Sequence, residues 1–289
     1  FDFHPQISRT LKIAPWLSLT PTLGVRETIY SKGLDATNNN KRLDFFTRES
    51  FDFTAALEGP RFEKIFRINN NYIPKIKHLI EPRITYNYIP DIDEKDREKI
   101  KVFDGIDSVN RRSTITYSLT QRILQKELEK EDSFSTREAL RFDISQSFDL
   151  IEATGSEKSE NKRPFSDLRF DLDSRLHDNL ELNFDSTFDV HENVLKTFNI
   201  ELGIKPIDSL YLFFDRRYTK NSSTFFIAGA DWNLGKGWRI QGTTRYDEKE
   251  KTFRENNFSL NYDNPCKCWS FNFDIVEREN LTSVVGDER

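Results

Sequence analysis

The sequence predicts an all-β protein, a large antiparallel transmembrane β-barrel. Three observations point there. Apolar and polar residues alternate over run after run, the period of a strand with one apolar and one polar face. Aromatic residues are abundant, with 25 Phe, 9 Tyr and 4 Trp in 289 residues, although hydrophobic residues of all kinds reach only 36%. The faces opposite the apolar ones are dense in charge, so that Asp, Glu, Lys and Arg make up 31% of the chain and mean hydropathy is −0.69. A thin apolar skin around a polar interior has this composition. A sandwich core would hold more Val, Leu and Ile. The alternation alone also fits a soluble β-sandwich whose polar face meets solvent. Strand length and aromatic excess favour the barrel, with a water-filled lumen on the polar side, lipid on the Phe-rich side, and Tyr and Trp at the interfaces.

Taken in order, the chain is nearly all strand and connection. It starts inside an alternating run, FDFHP, and contains no Met. It therefore reads as a fragment whose N-terminus and any targeting signal lie upstream. Leu17, Leu19, Pro21, Leu23 and Val25 alternate with Ser18, Thr20, Thr22 and Gly24. A polar loop follows, Ser31 to Arg42, then runs near 44–57 and 62–73. The longest clean run is HLIEPRITYNYIPDID, His78 to Asp93, with Ile80, Pro82, Ile84, Tyr86 and Tyr88 on one face and Glu81, Arg83, Thr85 and Asn87 on the other. It ends at Pro90 and leads into the charged segment Asp91 to Lys101. Arg112 to Ile123 alternates again. Arg122 to Asp132 has Leu124 and Leu128 at helical spacing, but it is short and highly charged. It reads as a strand end running into a loop, with a short surface helix as the other reading.

From residue 139 the pattern is clearest. Leu140, Phe142, Ile144 and Phe148 form one face, and after a Ser/Glu/Lys-rich loop, Glu152 to Arg163, Leu168, Phe170 and Leu172 form the next. Leu180, Leu182, Phe184, Phe188 and Val190 then oppose Glu181, Asn183, Asp185, Thr187 and Asp189. Later runs lie near 197–204, 209–218, 223–233, 237–247, 251–263 and 267–277, joined by short Gly-, Pro- or Asp-containing turns. About fourteen strands result, in the meander of an up-and-down barrel. One tension follows from strict up-and-down order. The loops near 126–138 and 150–164 flank a single strand and so belong at opposite ends. Either one is a long turn on the short-turn side, or a strand has been miscounted.

Several function classes lose support. A net charge of −5 and a pI near 5.6, with no basic stripe, give no basis for nucleic-acid binding. No apolar stretch reaches the ~18 residues of a membrane helix, which leaves barrel strands of about 9–11 residues untouched. The Asp-x-Asp pairs and their like, Asp91/Asp93, Asp171/Asp173 and Asp185/Asp189, sit on a face that is acidic throughout and read as a solvated face rather than a glycosidase pair. His4, His78, His177 and His191 lie in separate segments and show no zinc-ligand spacing. Nothing resembles a phosphate-binding loop or a nucleophile elbow. No cofactor and no enzyme activity is expected. Cys266 and Cys268, in NPCKCWSF, remain open. A bond between them closes a strained small ring, two ligands do not complete a metal site, and pairing with cysteines elsewhere and incidental cysteines both fit.

The run His78 to Asp93 resembles the signature of the LPS-assembly protein family, LptD, roughly His-x-x-Glu-Pro-x-x-x-Tyr-x-Tyr-x-Pro. The matching positions here are His78, Glu81, Pro82, Tyr86, Tyr88 and Pro90. WLSLTPTLGVRETIY, Trp16 to Tyr30, is similar to a family strand with Thr-Pro and Arg-Glu-Thr-x-Tyr. Phe103-Asp104 through STITYSLTQRI is similar to the region beyond the family's long loop, and Cys266, Cys268 and Trp269 to its late cysteine pair with an aromatic. Two features depart from the pattern: Lys267 separates the cysteines, and Gly105-Ile106-Asp107-Ser108 only echoes the family's Gly-x-Asp-Arg.

The resemblance implies a 26-stranded outer-membrane barrel of a Gram-negative bacterium. This chain would be the C-terminal part of it, residues 1–289. A periplasmic jelly-roll domain and the first strands would lie outside the chain, and LTSVVGDER would stop short of a closing strand. The implied function is insertion of lipopolysaccharide into the outer leaflet, with the glycan passing through the lumen and lipid A leaving through a lateral gate. The implied partners are an LptE-like lipoprotein plug, periplasmic bridge proteins reached through the jelly-roll, lipopolysaccharide and outer-membrane lipid. Cys266 and Cys268 would pair with cysteines of the N-terminal region. Arg83, Thr85, Asn87, Glu181, Asn183 and Asp185 are the lumen-facing candidates. Another outer-membrane porin or transporter barrel is the first alternative reading, and a soluble glycan-binding or glycan-cleaving β-sandwich the second.

Overall fold

The computed structural model describes residues 1–31, 33–35, 38–43, 45–91, 100, 105–108, 110–128, 133–155 and 162–279. Among these, seventeen strands join one antiparallel sheet. Thirteen of them are long: β4 (Leu17–Tyr30), β7 (Phe46–Glu58), β9 (Lys75–Ile89), β10 (Arg112–Leu128), β11 (Phe134–Asp149), β12 (Leu168–His177), β13 (Leu180–Asp189), β14 (Val194–Ile207), β15 (Leu210–Thr219), β16 (Ser223–Gly235), β17 (Trp238–Asp247), β18 (Thr252–Asp263) and β19 (Ser270–Arg278). Three short pieces, β1 (Asp2–Phe3), β2 (Gln6–Ser8) and β3 (Leu11–Ala14), pair in turn along β4 at Glu27–Thr28, Thr22–Gly24 and Leu17–Leu19. Together they occupy the place of one strand, broken at Pro5 and around Arg9–Thr10. The alternation predicts about fourteen strands; the sheet has seventeen, because β1, β2 and β3 add three short pieces beyond those runs.

Three local expectations change. The run near 62–73 yields only β8 (Phe62–Arg67), because Asn69, Asn70 and Asn71 leave the extended path; the Asn70 side chain accepts from the backbone N–H of Tyr72 and Ile73 at 2.8 and 3.2 Å. The polar loop Ser31 to Arg42 contains a small separate ladder, β5 (Gly33–Asp35) with β6 (Asn38–Leu43). The start of the Glu152–Arg163 loop overlaps a one-turn helix, α1 (Leu150–Thr154), capped by Asp149, which accepts from Ile151 and Glu152 N–H at 2.8 and 3.2 Å. Most of the charged segment 91–101, the residues Phe103-Asp104 and the terminal LTSVVGDER lie outside the described residues.

The two loops flanking β11 are reconciled by strand length. Arg122–Leu128 is the end of β10 and β11 starts at Phe134, so the first connection shrinks to 129–133, while the second spans 150–167. The helical reading of Leu124 and Leu128 is set aside, since both belong to β10.

The chain falls into two compact units. The first comprises residues 1–64, 79–120 and 144–168. Here β4 pairs with β7 from Ser18↔Glu58 to Tyr30↔Phe46, and β7 with β9 from Phe53↔Tyr88 to Glu58↔Arg83. The second comprises residues 65–78, 121–143 and 169–289. Its strands β13 to β19 form an unbroken hairpin meander with every neighbouring pair antiparallel.

Burial is inverted relative to a water-soluble fold. Among the described residues the buried apolar side chains are Ala56, Leu79 and Ala139, whereas Thr28, Arg48, Gln125, Glu127, Ser174, Ser186, Asp189, Asp215 and Asp247 are buried. The large apolar residues stand on the outside: Leu212, Phe214, Phe258, Phe271, Phe273 and Ile275 are each 39–51% exposed. A sandwich hides such residues between two sheets. A wall facing hydrocarbon displays them.

Candidate functional site

The alternating faces persist across strands because antiparallel register places like beside like. In the first unit, Phe53 and Phe51 meet Tyr86 and Tyr88 with ring centroids 6.4 and 5.9 Å apart. On the other side of the same strands, Arg83 lies 3.5 Å from Glu58, Asn87 Oδ1 accepts from Thr54 Oγ1 at 3.1 Å, and Thr85 sits opposite Ala56. In the second unit, Leu180, Leu182 and Phe184 face Ile204, Leu202 and Ile200. Behind them, Glu181 pairs with Arg175 at 2.8 Å, Asn183 lies opposite Glu201, and Asp185 Oδ2 accepts from Asn199 Nδ2 at 2.8 Å. Glu181 and Asn183 also line a polar cleft of about 380 Å³ with Arg137, Asp173, Ser174 and Arg175. Each expected polar-face residue therefore lies on a face of hydrogen-bonding and charged groups. Such a face offers exchangeable partners along a path rather than one tight site.

The signature residues turn out to be staples between strands. His78 Nε2 lies 3.2 Å from Gln121 Oε1 on β10. Glu81 forms an ion pair with Arg61, and the Pro82 carbonyl accepts from Gly59 N–H at 3.1 Å. The Tyr86 hydroxyl lies 3.1 Å from Ser113 Oγ. Pro90 follows the last residue of β9, Ile89, and has no ladder N–H to offer.

Cys266 and Cys268 sit in the turn between β18 and β19. The Asn264 side chain accepts from Cys266 N–H at 3.1 Å, Lys267 takes a positive φ of 55°, and the two sulfurs are joined to each other.

Sequence reasoning passes over one residue of the polar face, Arg48. It is 1% exposed on β7, opposite Thr28, and its guanidinium donates to the backbone carbonyls of Ile106 and Asp107 at 2.6 and 3.2 Å. The Tyr30 hydroxyl donates to Asp107 Oδ1 at 2.9 Å. A segment of the long connection after β9 is thus folded back onto this unit's polar side. The signal was thin: one arginine among many on an alternating strand, and the partial Gly-Ile-Asp echo.

The turns of the second unit show a repeated device. Asp189 accepts from the N–H of His191 and Glu192 at 2.9 and 3.0 Å, and its other oxygen pairs with Lys196 at 2.8 Å. Asp247 accepts from Lys249 and Glu250 at 3.0 and 3.1 Å and pairs with Arg254 at 3.2 Å. In both turns the residue four places on has positive φ, Asn193 at 55° and Lys251 at 54°. At the opposite strand ends, aromatic side chains gather: Trp238, Tyr262 and Trp269 pack in series as tilted rings with centroids 4.7 and 5.1 Å apart, and Trp232 is 45% exposed. Amphipathic rings grouped at strand ends mark a membrane–water boundary.

Comparison with known proteins agrees with this architecture. The family model described as LptD, LPS transport system D, matches residues 1–224. The LPS-assembly protein LptD of Nitrosospira multiformis is 22% identical, in an alignment covering 88% of this chain and 27% of that protein. This chain thus spans about a quarter of the length of that relative. With most of its length matched by the family model, the chain belongs to the LptD family.

Proposed function

We propose that this chain is part of the wall of an outer-membrane barrel that delivers lipopolysaccharide to the outer leaflet. The observation that carries the reading is the inverted burial, large apolar side chains exposed and charged ones buried, in a member of the LptD family. An amphiphile with a large glycan needs a polar path for its sugars and hydrocarbon for its acyl chains. The face bearing Arg83, Thr85 and Asn87 and the face bearing Glu181, Asn183 and Asp185 supply hydrogen bonds for the first, and the Phe-rich face borders the second. No bond is made or broken along such a path, and the driving energy comes from elsewhere in the transport machinery.

On this reading the complete barrel has 26 strands. A lipoprotein of the LptE kind occupies its lumen, and bridge proteins deliver lipopolysaccharide through a periplasmic domain outside this chain. Cys266 and Cys268 exchange partners with cysteines outside this chain, a thiolate attacking either sulfur of the pair. Non-reducing gels of the complete protein, with Cys266→Ser and Cys268→Ser separately, test that part: mobility unaffected by reductant in all three forms rejects it.

A photo-crosslinking amino acid placed in the complete protein in cells tests the path itself. Crosslinks to lipopolysaccharide are expected from positions 183 and 185 and not from 182. Crosslinks from 182 alone would place the glycan on the wrong face. A conducting channel purified without any lipoprotein would instead favour a porin or transporter.

A further inference from the structure

Arg216 is a cation on the apolar side of β15. Its face-mates Leu212 and Phe214 are 39% and 42% exposed, and in register it stands between Ile200 of β14 and Phe226 of β16. Its guanidinium lies 5.7 Å from the ring centroid of Phe198 and 5.5 Å from that of Phe226. The neighbours Asp215 and Arg217 pair with each other at 2.7 Å on the opposite face.

An arginine on the lipid face is costly at mid-membrane and far less so near an interface. Arg216 is three residues from the end of β15 at Thr219, roughly 10 Å along the strand. Its side chain points that way, because Glu248, in the turn between β17 and β18, lies 3.8 Å from it. The head thus rises along its stem toward the boundary, over the two Phe rings.

Tyr218 and Tyr246 share that end of the apolar face. Lys196 and Lys220 adjoin there too, joined by a backbone hydrogen bond of 2.8 Å, but their ammonium groups are held by Asp189 at 2.8 Å and Glu192 at 3.2 Å. Arg216 differs from both. Its distance from Glu248 exceeds hydrogen-bonding length, its side chain is 37% exposed, and a guanidinium carries five donors in a planar fork. Held over two aromatic rings and partly exposed, that fork is of a shape that takes a phosphate with two parallel hydrogen bonds.

Which leaflet it meets follows from chain order. In an antiparallel meander every second connection falls at the same end of the strands. Within the second unit the turns at 190–193, 220–222 and 248–251 therefore share one end, and the two-residue turns at 178–179, 208–209 and 236–237 share the other; the shortest turns of such barrels face the periplasm, so the first end faces outward.

We propose that Arg216, framed by Phe198 and Phe226, binds the phosphate of a lipid headgroup in the outer leaflet at the outside of the wall. This rests on the reading that the exposed apolar face meets lipid. The chemistry is shared by phosphorylated glycolipid and by anionic phospholipid, and the test separates them.

The complete protein, as wild type, Arg216→Ala and Arg216→Lys, is purified in detergent and titrated with lipid A, phosphatidylglycerol, phosphatidylcholine and inorganic phosphate, counting bound lipid by native mass spectrometry. Heat-modifiable migration on gels confirms that each variant is folded. Wild type should bind one phosphorylated lipid about tenfold more tightly than Arg216→Ala, with Arg216→Lys between them and phosphatidylcholine unaffected. A larger loss for lipid A than for phosphatidylglycerol assigns the site to the glycolipid, and the reverse to phospholipid. Equal binding by all three proteins overturns the proposal, as does inorganic phosphate bound as tightly as either lipid. Quenching of Trp232 and Trp238 by brominated lipid tests the membrane reading separately. Quenching together with unchanged lipid counts rejects the Arg216 site and leaves the wall reading standing, whereas absent quenching rejects both.

Discussion

Arg48 reaches from near the start of β7, where it stands opposite Thr28 of β4, to the carbonyl of Ile106, 2.6 Å away and 58 residues later in the chain. Removing the guanidinium takes away two hydrogen bonds to the half-buried Ile106 and Asp107 carbonyls, each worth about 0.5–1.5 kcal/mol net. Arg48→Ala should therefore release residues 105–108, seen as faster amide hydrogen exchange and new protease cleavage there. Lys has one head where Arg has a fork, so Arg48→Lys should restore only part of the protection. Unchanged exchange at 105–108 in Arg48→Ala would show that the segment is held by other contacts.

Gly24 makes room for a hydrogen bond between His4 and Asp52. An added Cβ would lie 2.5 and 2.6 Å from the Asp52 carboxylate oxygens and 2.7 Å from His4 Nε2, where His4 and Asp52 now meet at 2.5 Å. Gly24→Ala should push the ends of the His4 and Asp52 side chains apart and cost the hydrogen bond between them, about 0.5–1.5 kcal/mol, measured as a lower midpoint of urea unfolding in vesicles. Gly105→Ala is the control, because its Cβ would meet nothing within 4 Å. Equal midpoints for both variants would contradict the crowding argument.

Asp189 and Asp247 do the same work in two hairpins. Each satisfies two backbone N–H groups of its turn and one cation from the returning strand. Replacement by Ala should cost about 1–3 kcal/mol in each turn, since a network loses its shared acceptor. The turns are separate, so the double variant should show the sum within about 0.5 kcal/mol. The same unfolding midpoints check both statements, and a strongly non-additive double variant would show that the two hairpins are coupled.

What the sequence shows plainly is whatever repeats with period two. Glu181, Asn183 and Asp185 could be assigned to one face from the residues alone, because a strand offers only two faces. Pairing then follows from short turns such as His177-Asp178-Asn179. The breaks were harder to see. Nothing in Asp2 to Ala14 says that three short pieces line up along one neighbour, since that depends on β4 being long enough to receive them. Asn69 to Asn71 ended β8 early because side-chain hydrogen bonds compete with the ladder there. Arg48 and Arg216 illustrate the deeper limit. Parity assigns each to a face, but the return of residues 105–108 and the framing by Phe198 and Phe226 arise from neighbours that only the folded sheet supplies. The disulfide within Cys-Lys-Cys also lay beyond spacing arguments, which left several fates for those sulfurs open.

The central claim, that one face of this sheet meets lipid and the other water, is tested most directly on β13. Spin labels at 180 through 185, one at a time in the complete protein with every native cysteine replaced by Ser and reconstituted in bilayers, report collision with oxygen and with a water-soluble nickel chelate. Positions 180, 182 and 184 should favour oxygen, and 181, 183 and 185 the nickel chelate, with period two. High nickel accessibility at all six positions would place both faces in water and contradict the account.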